Sequence, residues 1–305
     1  MAKKIILSVA GLAAIGALGF WLVYLPWVVV HAQRHPSEVT PASLGVAYED
    51  VAFPAKGDGL TIRGWWMKAE NARAVLVMVH GANGNRRELH GHGLEMAKFL
   101  VSRHVSVLAI DLRNHGTSDA SPGGKLGMGY AEANDAIGAV DYVSSRAPGL
   151  PVYLMGSSMG GATVIYAAAR DTRVHGLVLI DPVLDPHTTS INFLEALLGA
   201  PRWFVAPVVW SAETFFPGDP GFHDPLAAGE RLTLPVLLMQ DDGDPVCLPS
   251  TAAKLAHANP HVTLWVSHDP SANTYHNGGW GFHVAAHAGN PAGVEAQLTK
   301  FLGVK

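Results

Sequence analysis

A serine set between glycines is the first feature with chemical meaning. Gly156-Ser157-Ser158-Met159-Gly160-Gly161 comes directly after the apolar run Val152 to Met155 and directly before a segment that reads as helix. G-x-S-x-G in that context predicts a sharp strand-to-helix bend that presents the central hydroxyl, and the flanking glycines remove Cβ atoms that would collide with neighbouring backbone. Only Ser158 is so flanked, since Ser157 would need glycine in place of Met155 and Met159. A hydroxyl is a weak nucleophile until a base takes its proton, so the pattern also demands an imidazole, and a carboxylate to fix its tautomer.

Both follow in the chain order Ser, acid, His. Asp241, Asp242 and Asp244 come after the apolar run Val236 to Met239; Asp244, in Asp244-Pro245-Val246, is the chosen acid, with the other two as alternatives. Past the last apolar run stand His268, His276, His283 and His287, and position admits any of them. His283 is preferred as base because Gly278-Gly279-Trp280-Gly281-Phe282 before it would let its loop approach the serine closely. The other three read as surface or packing residues.

Two backbone N–H groups should face the developing oxyanion, one on Met159 and one in His80-Gly81-Ala82-Asn83-Gly84-Asn85, assigned to Ala82. His80 reads as a buried ring that orders this loop, because the base is expected after the acid. His90-Gly91-His92 lacks the spacing of a metal site and is assigned to a solvated helix face. Neither a metal nor an organic cofactor is expected.

The elements that must position these groups alternate. Apolar runs at Ala74 to Val79, Val105 to Ile110, Val152 to Met155, Val174 to Ile180, Val236 to Met239 and Val262 to Val266 are separated by helical segments. Those helices are expected at Arg86 to Val101, Met128 to Arg146, Met159 to Arg170, Ser250 to Ala258 and Pro291 to Leu302. A hairpin, Val46 to Phe53 and Leu60 to Lys68, precedes them across Gly57-Asp58-Gly59. Uninterrupted apolar strands with helices between them predict an α/β fold, a mostly parallel eight-stranded sheet covered on both faces. Ligands of such sheets bind beyond the carboxyl ends of the strands, where every motif above falls. The long interval Pro182 to Arg231 reads as a lid, about 183–231. Its Phe193, Trp203, Phe204, Trp210, Phe215 and Phe216 suit an acyl-binding wall and core packing equally.

The N-terminus differs in kind. Ile5 to Val30 carries no charged residue and exceeds the roughly 20 residues needed to cross a bilayer as a helix. A cleaved signal peptide is the rival, with an apolar region of about 7 to 15 residues. The expected organisation is therefore a membrane anchor at 1–32, a Pro-containing linker at 33–45 and one catalytic domain at 46–305. Lys3 and Lys4 favour a cytoplasmic tail and an extracytoplasmic domain. The net charge of −4, without blocks of one sign, argues against nucleic acid or another polyanion as partner. The single cysteine, Cys247, excludes an internal disulfide and reads as a core residue.

Taken together, the motifs resemble the α/β-hydrolase superfamily, and in particular membrane-anchored bacterial serine hydrolases of the BEM46/YfhR type. The matching residues are His80-Gly81, Asp111-Leu112-Arg113-Asn114-His115-Gly116-Thr117-Ser118, Gly156 to Gly161, and Asp244-Pro245-Val246. The resemblance implies Ser158, Asp244 and His283 as nucleophile, acid and base, with Ala82 and Met159 as the oxyanion hole. Asn114 departs from the pattern by replacing a glycine, and the acid-to-base interval is longer than the family's habit. The expected function is hydrolysis of a small-molecule ester or related acyl bond, as a carboxylesterase, lipase-like enzyme or thioesterase. The lid is short for a deep lipid tunnel, so short to medium acyl chains are expected. Two other readings use the same residues: a non-catalytic membrane-tethered binding protein, and a haloperoxidase-like or acyltransferase use of the triad.

Overall fold

The computed structural model describes residues 2–88, 92–217, 223–268 and 283–304. The described residues form one sheet of eight strands: β1 (Glu49–Pro54), β2 (Thr61–Met67), β3 (Ala74–Val79), β4 (Val105–Asp111), β5 (Val152–Ser157), β6 (Val174–Ile180), β7 (Val236–Asp241) and β8 (Val262–Ser267). Their order is β1-β2-β4-β3-β5-β6-β7-β8. The hairpin β1–β2 pairs antiparallel and joins β4 antiparallel, while β3 to β8 run parallel.

Period-two alternation assigns each strand residue to one of two cores. Val75, Val77 and Val79 face α4 (Ala133–Arg146) and α5 (Met159–Arg170), meeting Ile137, Val140 and Val164. Leu76 and Met78 face the other way, onto Leu94 and Leu100 of α3 (Gly93–Ser102) and Val294 and Leu298 of α11 (Pro291–Leu302). All six β3 residues are buried, and full burial of one such side chain contributes about 1.5–3 kcal/mol. The middle of the sheet is therefore the rigid platform, and its carboxyl edge carries the site.

Remaining helices are α1 (Ala2–Gly19) and α2 (Leu25–Val30) at the N-terminus, joined by one π-helical stretch at Phe20–Tyr24, then α6 (Pro186–Leu198), α7 (Arg202–Phe215) and α8 (Pro225–Glu230) in the lid, α9 (Pro249–Ala258), and α10 (Ala286–Gly289). Two expected helices start late. The one expected from Arg86 begins at Gly93, because Glu88 and His92 adopt φ of +46° and +52°. The one expected from Met128 begins at Ala133, where the buried Glu132 carboxyl instead accepts the N–H groups of Gly127 and Gly129. In the second place a carboxyl group competes with the helix for backbone donors.

Asn114 has φ +66° and bonds Ser121 and the Lys125 carbonyl through its side chain. Asparagine tolerates the left-handed region that this turn requires. The lid aromatics divide in a way the sequence reading did not anticipate: Phe193 packs on the core and Phe216 lines a cavity, whereas Trp203, Trp210 and Phe215 are exposed.

Gly138 tests how tightly α4 sits on the sheet. Alanine has the better helix propensity by about 1 kcal/mol. A Cβ there would stand 2.4 Å from the Pro54 carbonyl oxygen, however, and overpacking costs about 1–3 kcal/mol. Gly138→Ala should therefore lower the unfolding free energy in urea titrations; a gain in stability would show that α4 is free to shift.

Candidate active site

Ser158 stands at the junction of β5 and α5 with φ +50° and ψ −120°, a conformation that costs a non-glycine residue about 1–3 kcal/mol. Hydrogen bonds on every side hold it. Its N–H donates to the Ile180 carbonyl at 3.0 Å, and its carbonyl accepts from Gly161 at 2.9 Å and Val183 at 3.0 Å. The glycines admit this bend by close approach: a Cβ on Gly156 would lie 2.1 Å from the Gly160 oxygen, and one on Gly160 would lie 2.3 Å from the Val79 oxygen.

Around the partly exposed hydroxyl the structure brings together His283 and Asp244 from two other loops. His283 Nε2 is 2.9 Å from Ser158 Oγ, and His283 Nδ1 is 2.8 Å from Asp244 Oδ2. With Nδ1–H donating to the carboxylate, Nε2 is left as an acceptor for the serine proton. Asp244 is buried, and its other oxygen accepts the N–H groups of Val246 and Cys247 at 2.7 and 3.1 Å, so it stays oriented.

The alternatives lie elsewhere. Asp242 pairs with the exposed His268, and His287 is buried edge-on to His92, where desolvation lowers its pKa to about 4. His276, His90, and Gly278 to Phe282 lie outside the described residues.

The loop after β3 brings Gly81 against the serine: a Cβ there would sit 3.0 Å from Ser158 Cβ. Among the described residues, neither the Ala82 nor the Met159 N–H has a hydrogen-bond acceptor, so both are free to meet a negative oxygen. Two neutral imidazoles fix this loop. His80 bonds the Gly81 carbonyl through Nδ1 and accepts the Leu112 N–H, and desolvation lowers its pKa to about 4. His115 accepts the Asn83 N–H, and desolvation followed by the His80 field lowers it to about 3.

Asp244, Cys247 and His283 bring ligand atoms within 4.8 Å of one another, but they make a poor metal site. Both Asp244 oxygens already hold donors, and burial pushes the Cys247 thiol up, away from the thiolate that a metal requires.

Two supporting carboxyls escaped the sequence reading. Asp181, at the end of β6, accepts the N–H groups of Asp241 and Val284, both at 2.8 Å. Val284 follows His283 and has φ +58°, a costly conformation for a β-branched residue, so Asp181 holds the backbone that aims the imidazole. Glu88 accepts the Ser157 hydroxyl at 2.8 Å and the Gly81 N–H at 3.3 Å, tying the elbow to the facing loop; burial pushes its carboxyl up. The only available signal was an acid directly after the apolar run Val174 to Ile180, at the edge where ligands bind.

A cavity of about 700 Å³ lies under the lid, within the range of small-molecule pockets. Leu184 in its wall follows Val183, whose N–H bonds the Ser158 carbonyl. Val29 and Val30 of α2, Val209 and Phe216 from the lid, and the polar Asp185 and Lys254 also line it.

Residues 70–218 match the family model described as serine aminopeptidase, S33. The chain is 28% identical to the monoglyceride lipase of Rattus norvegicus over 250 residues, covering 70% of this chain and 80% of that protein. It is 33% identical to the monoglyceride lipase of Homo sapiens over 163 residues, covering 52% of this chain and 50% of that protein. The chain thus spans about half the length of the human relative. Among solved structures, the Pyrococcus furiosus esterase Pf2001 superposes with a TM-score of 0.73 at 22% identity, over 90% of this chain and 97% of that one. That likeness establishes the α/β-hydrolase fold.

Asp241 gives the site a signature in stability. Burial, and then the charge of Asp244, raise its carboxyl to about 7, from about 4 in an unfolded chain. The folded state therefore keeps a proton that the unfolded chain has released, a contribution complete below about pH 4 and lost as pH rises to about 7. Asp241→Asn should abolish this dependence. In urea titrations the difference in unfolding free energy should swing toward the variant between pH 4 and 7, and parallel profiles would refute the assignment.

Proposed function

We propose that this chain, a serine hydrolase of the α/β-hydrolase fold and of the carboxylesterase or lipase type, cleaves an ester through Ser158, His283 and Asp244 by way of an acyl-enzyme. The observation that carries the reading is the continuous line of hydrogen bonds from Ser158 Oγ through the His283 ring to Asp244. Ser158 Oγ attacks the acyl carbon while its proton passes to His283 Nε2. The carbonyl oxygen becomes an oxyanion facing the Ala82 and Met159 N–H groups, with the N-terminal end of α5 behind Met159. Collapse breaks the ester bond, and His283 returns the proton to the departing alcohol. Water then enters, gives a proton to the same ring and bonds the acyl carbon; the bond to Ser158 Oγ breaks, Oγ takes the proton back from the ring, and the acid leaves. Asp244 stabilises the imidazolium throughout.

The substrate class is a monoacyl ester of short to medium chain. A cavity of about 700 Å³ beneath the lid, reaching Leu184 beside the Val183 that bonds the Ser158 carbonyl, has room for one acyl chain with a small head, and the similarity to two monoglyceride lipases supports a monoacyl ester. Residues 1–32 serve as a membrane anchor: the helix Lys4–Val30 is long and apolar enough to cross a bilayer. Residues 33–45 connect it to the catalytic domain, 46–305, which stands on the extracytoplasmic side.

Replacing Ser158 by alanine should abolish labelling by a fluorophosphonate probe and reduce kcat by about 10⁶-fold, whereas Asp244→Asn, which leaves the ring in the wrong tautomer, should cost about 10⁴-fold. Hydrolysis of p-nitrophenyl esters of increasing chain length reads both. Folded wild-type protein that neither labels nor hydrolyses would instead indicate a binding protein built on the same fold.

A further inference from the structure

The lid leaves apolar surface uncovered. Trp203 is 74% exposed, Phe215 63% and Trp210 55%, with Leu197 and Leu198 beside them close to half exposed. Scattered singly, such residues need no explanation; gathered on α7 and the end of α6, they form a face. The opposite side of α7 is buried: Val205, Val208 and Val209 pack with Ile191 and Leu194 of α6 against Trp21, Leu25 and Val29 of the N-terminal helix.

The N-terminal helix explains why that packing holds. Pro26 has no N–H to give the Leu22 carbonyl, four residues earlier, and the backbone responds with the π-helical stretch Phe20–Tyr24. Ser211 on α7 supplies the missing donor, its buried hydroxyl lying 2.6 Å from the Leu22 oxygen. Trp21 answers in the other direction, donating its indole N–H to the Phe204 carbonyl at 3.0 Å. Unmet backbone carbonyls are costly near hydrocarbon, so this pair of bonds clasps lid and helix together.

Length then fixes the level. At 1.5 Å per residue the 27-residue helix Lys4–Val30 is about 40 Å long, against about 30 Å of hydrocarbon. Its first two-thirds stand clear of the protein, and the surplus is the part that lies on the lid. There Phe20, Tyr24 and Trp27 face outward on the helix as Trp203, Trp210 and Phe215 do on α7. Aromatic rings concentrated at one level are the mark of the membrane–water boundary.

We infer that the N-terminal helix holds the lid in the bilayer surface, with the outer face of α7 bedded among the lipid headgroups. The cavity walled by Val29, Val30, Val209 and Phe216 then opens at the membrane, and the ester enters from the lipid phase rather than from water. That last step rests on the hydrolase function proposed above.

The test uses the full chain in phosphatidylcholine vesicles, with nitroxide labels on Trp203→Cys, Trp210→Cys and, as a control on the far core, Lys98→Cys; Cys247 is buried and stays unlabelled. Labels at 203 and 210 should collide with dissolved oxygen in preference to a water-soluble nickel chelate, and the label at 98 the reverse. Nickel access equal at all three positions would overturn the inference, as would spin–spin broadening at 203 and 210, which would mean that a second copy covers this face.

In the same vesicles Ser211→Ala should slow hydrolysis of a monoacylglycerol about five- to tenfold, the weight of one hydrogen bond, with turnover of soluble p-nitrophenyl acetate unchanged and Ser211→Thr restoring the rate. An equal fall on both substrates, or on neither, would overturn the delivery role. The label pattern does not depend on Ser158, so loss of the catalytic reading and loss of this one are separately visible.

Discussion

A single backbone bend governs the arrangement of the site. Ser158 occupies a conformation that its side chain disfavours, and it stays there because the Ile180 carbonyl and the Gly161 and Val183 N–H groups take up every polar atom of its peptide. The strain of about 1–3 kcal/mol is small beside the apolar burial of β3, β5 and β6 beneath it. Once the bend is set, much else is fixed with it. The hydroxyl projects above the sheet, the first N–H of α5 points at the same space, and the glycines of 156 to 161 let β3 and the Gly81 loop come within contact of the serine. Larger side chains at those glycines would force the elbow apart from its neighbours before affecting any chemical group.

Electrostatics sets the second constraint. Asp181, Asp241 and Asp244 crowd the ends of β6 and β7, and three buried carboxylates cannot all ionise there. Their hydrogen-bond donors differ. Asp244 receives two backbone N–H groups and the imidazole N–H, whereas Asp241 leaves one oxygen without a partner. Burial and the Asp244 charge push both Asp181 and Asp241 upward. Asp244 is the carboxylate that touches His283, and Asp181 supports the loop carrying the ring by accepting the Val284 N–H.

Most of the sheet was legible in the sequence because its strands are uninterrupted apolar runs. Ala74 to Val79 and Val174 to Ile180 are expected and found with identical bounds. Helix starts were less legible, since Glu88 and His92 take left-handed backbone angles and Glu132 spends its carboxyl on backbone donors, none of which periodicity announces. The elbow was readable from glycine spacing alone. His283 was preferred among four C-terminal histidines for the glycines before it, but the contact that separates it from His287, a carboxylate 39 residues away in sequence and 2.8 Å away in space, is visible only in the fold. Asp181 stayed hidden for the same reason: its partners, Asp241 and Val284, are distant in the chain. The lid aromatics were visible as composition, but which of them face outward depends on the packing of α7 against a helix some 180 residues earlier.

The N-terminal segment reaches the site from two sides. Its helix engages the lid through Leu22 and Trp21, and the chain that follows passes over the loop bearing Ala82. There the Gln33 N–H bonds the Asn83 side chain at 2.9 Å, and the Asn85 amide donates to the His35 carbonyl at 2.7 Å. Asn83 is itself held by His115 through its own N–H. The helix and the chain after it are thereby bonded to the lid and to the oxyanion loop within the span from Trp21 to His35. Hydrogen bonds of this kind are worth about 1 kcal/mol each, comparable to the energies that distinguish open from closed loops. A segment that looks like a passive tether in the sequence is thus bonded both to the lid and to the loop bearing Ala82.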